Sequence, residues 1–338
     1  MLAPSLRYVA SLTDENGIVE HAVRDRPRRE DGYCTDDAGR LLGLAARLSD
    51  DPEAERLAHA SLGFLERAYL GGGVFRLRQR GDGAWTADPS SDDADARALL
   101  GLAVARTRAP WLDLRRRAAR LFDDAAQSRS EHPRAIAYAA LGAAEVLRRQ
   151  PEHAGAHRLL NAASQLTAGR VDDPVWPWSE ERLTYDNAVL PEASLEAAVI
   201  WRDARRARVA LAQLRWLVER QTLEGHFSFT PVGGADVDSV APGFDQQPIE
   251  AWATASACAR AYHLTHDSRW LAAVELAAAW FFGANDVGVV VYDEWTGGAY
   301  DGLEAHGVNQ NEGAESAMAF VATMMYVAQL RAYAAATA

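Results

Sequence analysis

Apolar residues recur at three- and four-residue spacing through most of the chain, in segments such as LLGLAARL, ALLGLAVAR, IAYAALGAAEVLRR and LAAVELAAAWFF. This is the period of an α-helix, and the residues that carry it are helix formers. Alternating patterns are few. VFRLRQR at 74–80, HFSFTPV at 226–232 and VGVVVYDE at 287–294 predict short hairpins within a helical protein.

The apolar segments also repeat. TDDAGRLLGLAARL at 35–48 and DADARALLGLAVAR at 93–106 share acidic residues, a small residue, an arginine and then a Leu-Gly-Leu-Ala run. Weaker versions begin at His132, Tyr185, Phe244 and Asn311, each a polar cluster opening an alanine-rich helix. Between them lie more charged, one-sided segments: EAERLAHASLGFLERAYL, LDLRRRAARLFDDAAQS, EHAGAHRLLNAASQLTAG, RRARVALAQLRWLVERQ and SRWLAAVELAAAWFFGA. A helix apolar on most faces belongs inside, and a one-sided helix belongs at the surface. Six apolar helices alternating with amphipathic ones therefore predict an all-α (α/α)6 toroid, a closed form of helix-pair packing, as a single domain over 1–338.

If the inner helices run in parallel, the residues that open them converge at one end. Those residues are Asp36, Asp37, Asp93, Asp186, Asp245, Gln246, Gln247, Asn311 and Glu312. Capping and the helix dipole favour such residues at helix starts without any function. Six starts rich in acids and amides exceed that need, and aromatic residues lie beside them: Tyr33, Trp85, Trp176, Trp178, Tyr185, Phe244, Trp295 and Tyr300. Rings that stack on C–H faces, next to carboxyl and amide groups that bind hydroxyls, suit a carbohydrate.

Composition narrows the chemistry. The 338 residues hold 47 acidic and 35 basic side chains, for a net charge of -12, and every basic one is arginine. Without lysine there is no Schiff-base chemistry and no phosphate-loop lysine. Scattered arginines on an acidic chain argue against nucleic acid, and no segment approaches the length of a membrane span. The N-terminal segment has no basic leader with an apolar core, which leads us to expect a cytoplasmic protein. Cys34 and Cys258 are too few for a disulfide scaffold or a zinc tetrad, and His153 and His157 lack the glutamate of a zinc motif. No metal or cofactor is expected.

Glycoside chemistry needs one protonated and one ionised carboxyl flanking an anomeric carbon, and neighbouring acids in a poorly solvated mouth can divide in that way. Asp37 and Asp186 rank first, because each precedes a small residue and an apolar run and so falls on the first turn of an inner helix. Asp36 is read as the cap of the same helix as Asp37. Pro248 fits a first turn, which puts Asp245 at the mouth and Glu250 just inside. Glu312 and Glu315, three apart, share one helix face. Asp186, Asp37, Asp245 and Glu312 are the expected catalytic carboxylates. Expected on the substrate are Asp36, Tyr33, Trp85, Asp93, Trp176, Trp178, Tyr185, Asn187, Gln246, Gln247, Glu250, Tyr300, Asn311 and Glu315.

GYCTDDAGRLL, LTYDNAVLPEA, FDQQPIEA, NDVGVVVYDEWTGGAYDGL and GVNQNEGAESAMAF, in this order over nearly the whole chain, resemble the six-hairpin glycosidase-like domain of bacteria, found alone or attached to glycosyltransferases. The resemblance implies an (α/α)6 barrel in a carbohydrate-active setting and a glycosyltransferase as a possible partner. A more distant likeness is to unsaturated glucuronyl hydrolases. There an aspartate of an Asp-Asn-type motif at an inner-helix start is the general acid/base, which maps to Asp186, and an aspartate of an earlier inner helix assists, which maps to Asp37 or Asp36. The expected activity is glycoside hydrolysis with water as nucleophile, and the resemblance favours an inverting course. Two other readings stand beside it. One is a glycan-binding accessory module. The other is a sugar epimerase or lyase on the same barrel, in which His132, His226 or His306 would carry protons and Arg40 and Arg97 would neutralise a uronate.

Overall fold

The computed structural model describes residues 2–166 and 173–337. Its helices are α1 (Arg7–Ser11), α2 (Thr35–Arg47), α3 (Ala54–Ala68), α4 (Asp92–Arg108), α5 (Leu112–Ala125), α6 (Pro133–Leu147), α7 (Ala154–Ala162), α8 (Val189–Trp201), α9 (Ala204–Arg220), α10 (Pro248–Thr265), α11 (Ser268–Phe281) and α12 (Ala314–Thr337). All six apolar segments become α2, α4, α6, α8, α10 and α12, and the five one-sided segments become α3, α5, α7, α9 and α11. The last three residues of EHAGAHRLLNAASQLTAG lie outside the described residues. The chain divides into two compact units, one of Leu6–Leu166 with Glu196–Arg202, the other of Met1–Ser5, Thr167–Leu195 and Asp203–Ala338.

In the first unit α2 packs on α4 and α4 on α6, while α3, α5 and α7 each pack on the inner helix before them. Burial follows the pattern. α6 is buried over most of its length, but α5 buries only Leu114, Ala118, Phe122 and Ala125, one stripe at helical spacing. The glycine of the repeated Leu-Gly motif is the contact point. A Cβ at Gly101 would fall 2.2 Å from the Gly39 carbonyl oxygen, and one at Gly142 would fall 3.3 Å from the Leu99 oxygen. At Gly101 the inner helices approach so closely that only glycine fits, Gly142 is tight, and a Cβ on Gly43 of α2 would make ordinary contact with the Gly101 Cα at 3.6 Å. Glu145 of α6 accepts from Arg108 at 2.8 Å, with Arg47 at 3.8 Å and Arg148 at 4.0 Å. Burial alone would raise its carboxyl, but the arginine charges hold it at about 2.

In the second unit α10 packs on α11 and α12. Ser256 of α10 lies 2.8 Å from both the Glu192 carboxylate of α8 and the Tyr326 hydroxyl of α12, so three inner helices share one half-buried polar junction. Pro133 and Pro248 occupy first turns, where a missing N–H costs nothing.

Three local expectations are corrected. The 287–294 segment forms only isolated bridges, Phe282 to Val290 and Tyr292 to Ala299. The other two runs give two-residue strand pieces, Val74–Phe75, Arg78–Gln79 and His226–Phe227. Asp186 precedes α8 rather than lying on its first turn, because α8 starts only at Val189 and residue 186 has φ of 49°. Glu312 likewise precedes α12, so it and Glu315 do not share a helix face. No helix among the described residues is long and apolar enough to cross a membrane.

Candidate active site

The start of α2 builds an acid–arginine cluster. Cys34, extended, is the N-cap residue, and Asp36 and Asp37 fall in the first turn, so Asp36 does not cap. Arg40, one turn on, reaches back to Asp36 at 2.9 Å and to Asp37 at 2.7 Å, and the Cys34 thiol donates to Asp37 at 3.0 Å. Burial would raise the Asp36 carboxyl, but the Arg40 and Arg97 charges and the hydrogen bonds it accepts together outweigh burial and hold it at about 2. Burial pushes the Cys34 thiol well up, which rules it out as a nucleophile near neutral pH. Arg97 of α4, 3.6 Å from Asp93, also stacks over the Tyr138 ring of α6 at 4.0 Å and bonds its hydroxyl. Cys34, Asp36 and Asp37 are the single His/Cys/Asp/Glu group among the described residues whose ligand atoms lie within 4.8 Å of one another. Arg40 already stands where a cation would neutralise those acids.

The second unit builds its own carboxylate pair. Glu250, on the first turn of α10 and 3% exposed, accepts the backbone N–H of Asp186, the backbone N–H of Asn187 at 3.4 Å and the Asn187 side-chain amide at 3.2 Å. The Asn187 carbonyl oxygen in turn accepts the Thr184 N–H at 2.9 Å. Asp186 is buried and left-handed, a conformation that costs a residue with a Cβ about 1–2 kcal/mol and persists only where neighbours impose it. Burial, then the Asp186 charge, push the Glu250 carboxyl up to about 7. Glu250 therefore keeps a proton well above the ordinary carboxylate range.

A third network surrounds Gln246. It is fully buried, its carbonyl oxygen accepts from Phe229 N at 3.0 Å and Trp280 Nε1 at 3.3 Å, and its amide donates to Asp286 at 2.6 Å. The other Asp286 oxygen lies 2.9 Å from His226 Nε2. Two donors on the Gln246 oxygen fix its amide toward Asp286. Asp286 then accepts on both oxygens, so His226 carries its proton on Nε2, and Nδ1 is left as acceptor.

Of the remaining expected residues, Asp245 is exposed, Gln247 is the N-cap residue of α10 and half-buried, and Tyr185 is 42% exposed beside Asp186. Glu312 is buried and accepts from the Thr296 hydroxyl at 2.7 Å, while Asn311 and Glu315 are half-buried around it. Tyr300 donates to Asp293 at 3.1 Å. The other aromatics mostly pack: Tyr33 is buried with its hydroxyl on Asp14 at 2.9 Å, and Trp85 lies against Phe64 at 5.4 Å. Trp176 and Trp178 are buried on Trp216 of α9 at 5.0 and 5.8 Å. Asp286 and Thr296 escape sequence reading because each sits in a loop and meets its partner only through the fold, 60 and 16 residues away. The Asn-Asp just after α11 is the one available signal.

No family model and no curated protein matches the chain. Solved structures do. A sugar epimerase from a ruminal bacterium superposes with a TM-score of 0.72 at 12% identity, over 95% of each chain. Cellobiose 2-epimerase from Bacillus thermoamylovorans gives 0.71 at 14% identity, over 97% of this chain and 96% of that one. The chain has the six-hairpin glycosidase-like (α/α)6 fold. A GH76 α-mannanase from Bacteroides thetaiotaomicron shares that fold with a TM-score of 0.63 at 11% identity, over 98% of this chain and 95% of the other. The helix order read from the repeats is thus the order of a fold that these sugar epimerases and this mannanase also adopt.

Proposed function

We propose that the protein is a carbohydrate-active enzyme that hydrolyses glycosidic bonds by carboxyl acid/base catalysis centred on Asp186. The observation that carries this reading is the left-handed Asp186 backbone held against Glu250, whose own carboxyl keeps a proton to about pH 7. Three N–H groups aim at the two Glu250 oxygens, which commits Glu250 to the turn, and the Asp186 carboxyl, ranked first by its motif, is assigned to the substrate. In the reaction Asp186 acts as general acid, passing a proton to the glycosidic oxygen as its bond to the anomeric carbon breaks. Water adds to that carbon and gives its proton to an ionised carboxylate. Asp245, exposed and five residues before Glu250, is assigned that base role. Asp37 is the alternative carboxylate, on the first unit, and is tested separately.

The test is a panel of cello-, manno-, xylo- and malto-oligosaccharides with reducing-sugar readout on wild type, Asp186→Asn, Asp245→Asn and Asp37→Asn. Wild type should release sugar, and Asp186→Asn should lose at least about 100-fold of it with the fold intact. Near-normal turnover in Asp186→Asn removes the assignment.

A sugar epimerase or isomerase is the second reading, favoured by the tautomer-fixed His226, whose Nδ1 could take a proton from a carbon next to a carbonyl. The two readings separate cleanly. An epimerase incubated with cellobiose or mannose in D2O incorporates deuterium at C2 and depends on His226, whereas a hydrolase does neither.

A further inference from the structure

We propose that Glu250 is the positioning residue for Asp186: by accepting the backbone N–H groups of residues 186 and 187 it holds the turn left-handed and so aims the Asp186 carboxyl. The functional half of this inference rests on the hydrolase reading; the structural half does not.

A buried carboxylate without a cationic partner is costly, and no arginine or histidine among the described residues bonds Glu250. A structural role in the first turn of α10 would be met more cheaply by an apolar residue or a glutamine. What a carboxylate alone supplies is two oxygens that only accept, and three N–H donors converge on them. A glutamine would turn an NH2 group toward one of those donors. The donors belong to Asp186 and Asn187, sixty-four and sixty-three residues earlier, so the interaction ties the α10 start to the loop before α8. The left-handed φ of 49° at residue 186 is what this tie maintains. Of the ionisable groups around Glu250, Asp186 is the one whose charge reaches it. Protonation of Glu250 turns one acceptor into a donor facing an N–H group, so the turn should loosen as pH falls through the Glu250 midpoint.

The experiment follows the Asp186 and Asn187 amides in protein labelled with 15N at Asp and Asn, across pH 5 to 9, in wild type, Glu250→Gln and Glu250→Asp. In wild type both amide resonances should titrate together with one midpoint near 7, and in Glu250→Gln neither should titrate there. On the oligosaccharide that wild type cuts fastest, Glu250→Gln should lower kcat about 100-fold with KM within about twofold, and Glu250→Asp should restore part of kcat. Amides that ignore pH in wild type, or that titrate unchanged in Glu250→Gln, overturn the proposal. So does unchanged kcat in Glu250→Gln while Asp186→Asn is inactive. If instead Asp186→Asn stays active, the hydrolase reading fails, and the amide titration still decides the clamp.

Discussion

Two glycine-to-alanine substitutions in one unit should move stability in opposite directions, and the structure sets both signs. At Gly101, mid-α4, a Cβ would stand 2.2 Å from the Gly39 carbonyl oxygen and 3.0 Å from its carbon, all backbone that cannot swing aside. Ordinary contact begins at 3.4 Å, so α2 and α4 must part by about 1.2 Å. Forcing a methyl into a packed core costs roughly 1–3 kcal/mol, and a backbone obstacle places this case at the upper end. Alanine returns about 1 kcal/mol of helix propensity, leaving a net loss of about 2 kcal/mol. At Gly63 in α3, the one atom within 4 Å is the flexible end of Arg67, at 3.5 Å. There the propensity gain stands alone, about 0.5–1 kcal/mol in favour of the fold. Urea unfolding followed by far-UV circular dichroism reads both as shifts in midpoint at unchanged slope. A Gly101→Ala midpoint at or above that of Gly63→Ala refutes the reading of the Leu-Gly motif as a helix contact. The same contact matters to the acid–arginine cluster. Gly39 lies between Asp37 and Arg40, and a Cβ on it would meet the Arg97 carbonyl oxygen at 2.6 Å, so parting the helices also moves Arg97, whose charge helps lower the Asp36 carboxyl, away from α2.

Two further outcomes follow from buried charge and strain. Burial raises the Asp95 carboxyl to about 7 against the opposing Phe75 N–H, so the stability it contributes is full below the ordinary carboxylate range and is lost as pH rises from there through about 7. Asp36 and Glu145, both held at about 2, act in the other sense, and their contribution is lost only as pH falls from the ordinary carboxylate range through that value. Melting temperature should therefore peak near the ordinary carboxylate range, about pH 4–5, and decline toward pH 7, and Asp95→Asn should remove part of that decline, Glu250 supplying the rest; an unchanged limb refutes the Asp95 assignment. Asp186→Gly should be more stable than Asp186→Ala by about 1 kcal/mol, because both lack the side chain and only alanine bears the left-handed cost. Equal melting points for the pair would show that residue 186 is not held left-handed.

The helix order was legible because periodicity and the repeat are local: Leu41 to Ala45, Leu99 to Ala103 and Leu141 to Ala143 each carry a glycine-centred run, and each glycine faces a neighbouring inner helix. The residues of the candidate site were legible only as types. Nothing local distinguishes Trp176, buried on Trp216, from Tyr185, exposed beside Asp186, since both follow polar turns. Nor does the chain near Gln246 show that its amide is committed to Asp286, forty residues on, instead of a ligand. The Asp186 reading illustrates the physics best. A helical continuation back from Val189 would put Asp186 on a first turn and make it one more cap, with its carboxyl spent on its own helix. The left-handed turn ends that continuation, the Asp186 and Asn187 carbonyls accept the Val189 and Leu190 N–H groups, and Glu250 accepts the N–H groups of residues 186 and 187 themselves. The turn before α8 is thus tied to a residue sixty-four positions away, which is why a motif could rank Asp186 but only the fold could show what holds it.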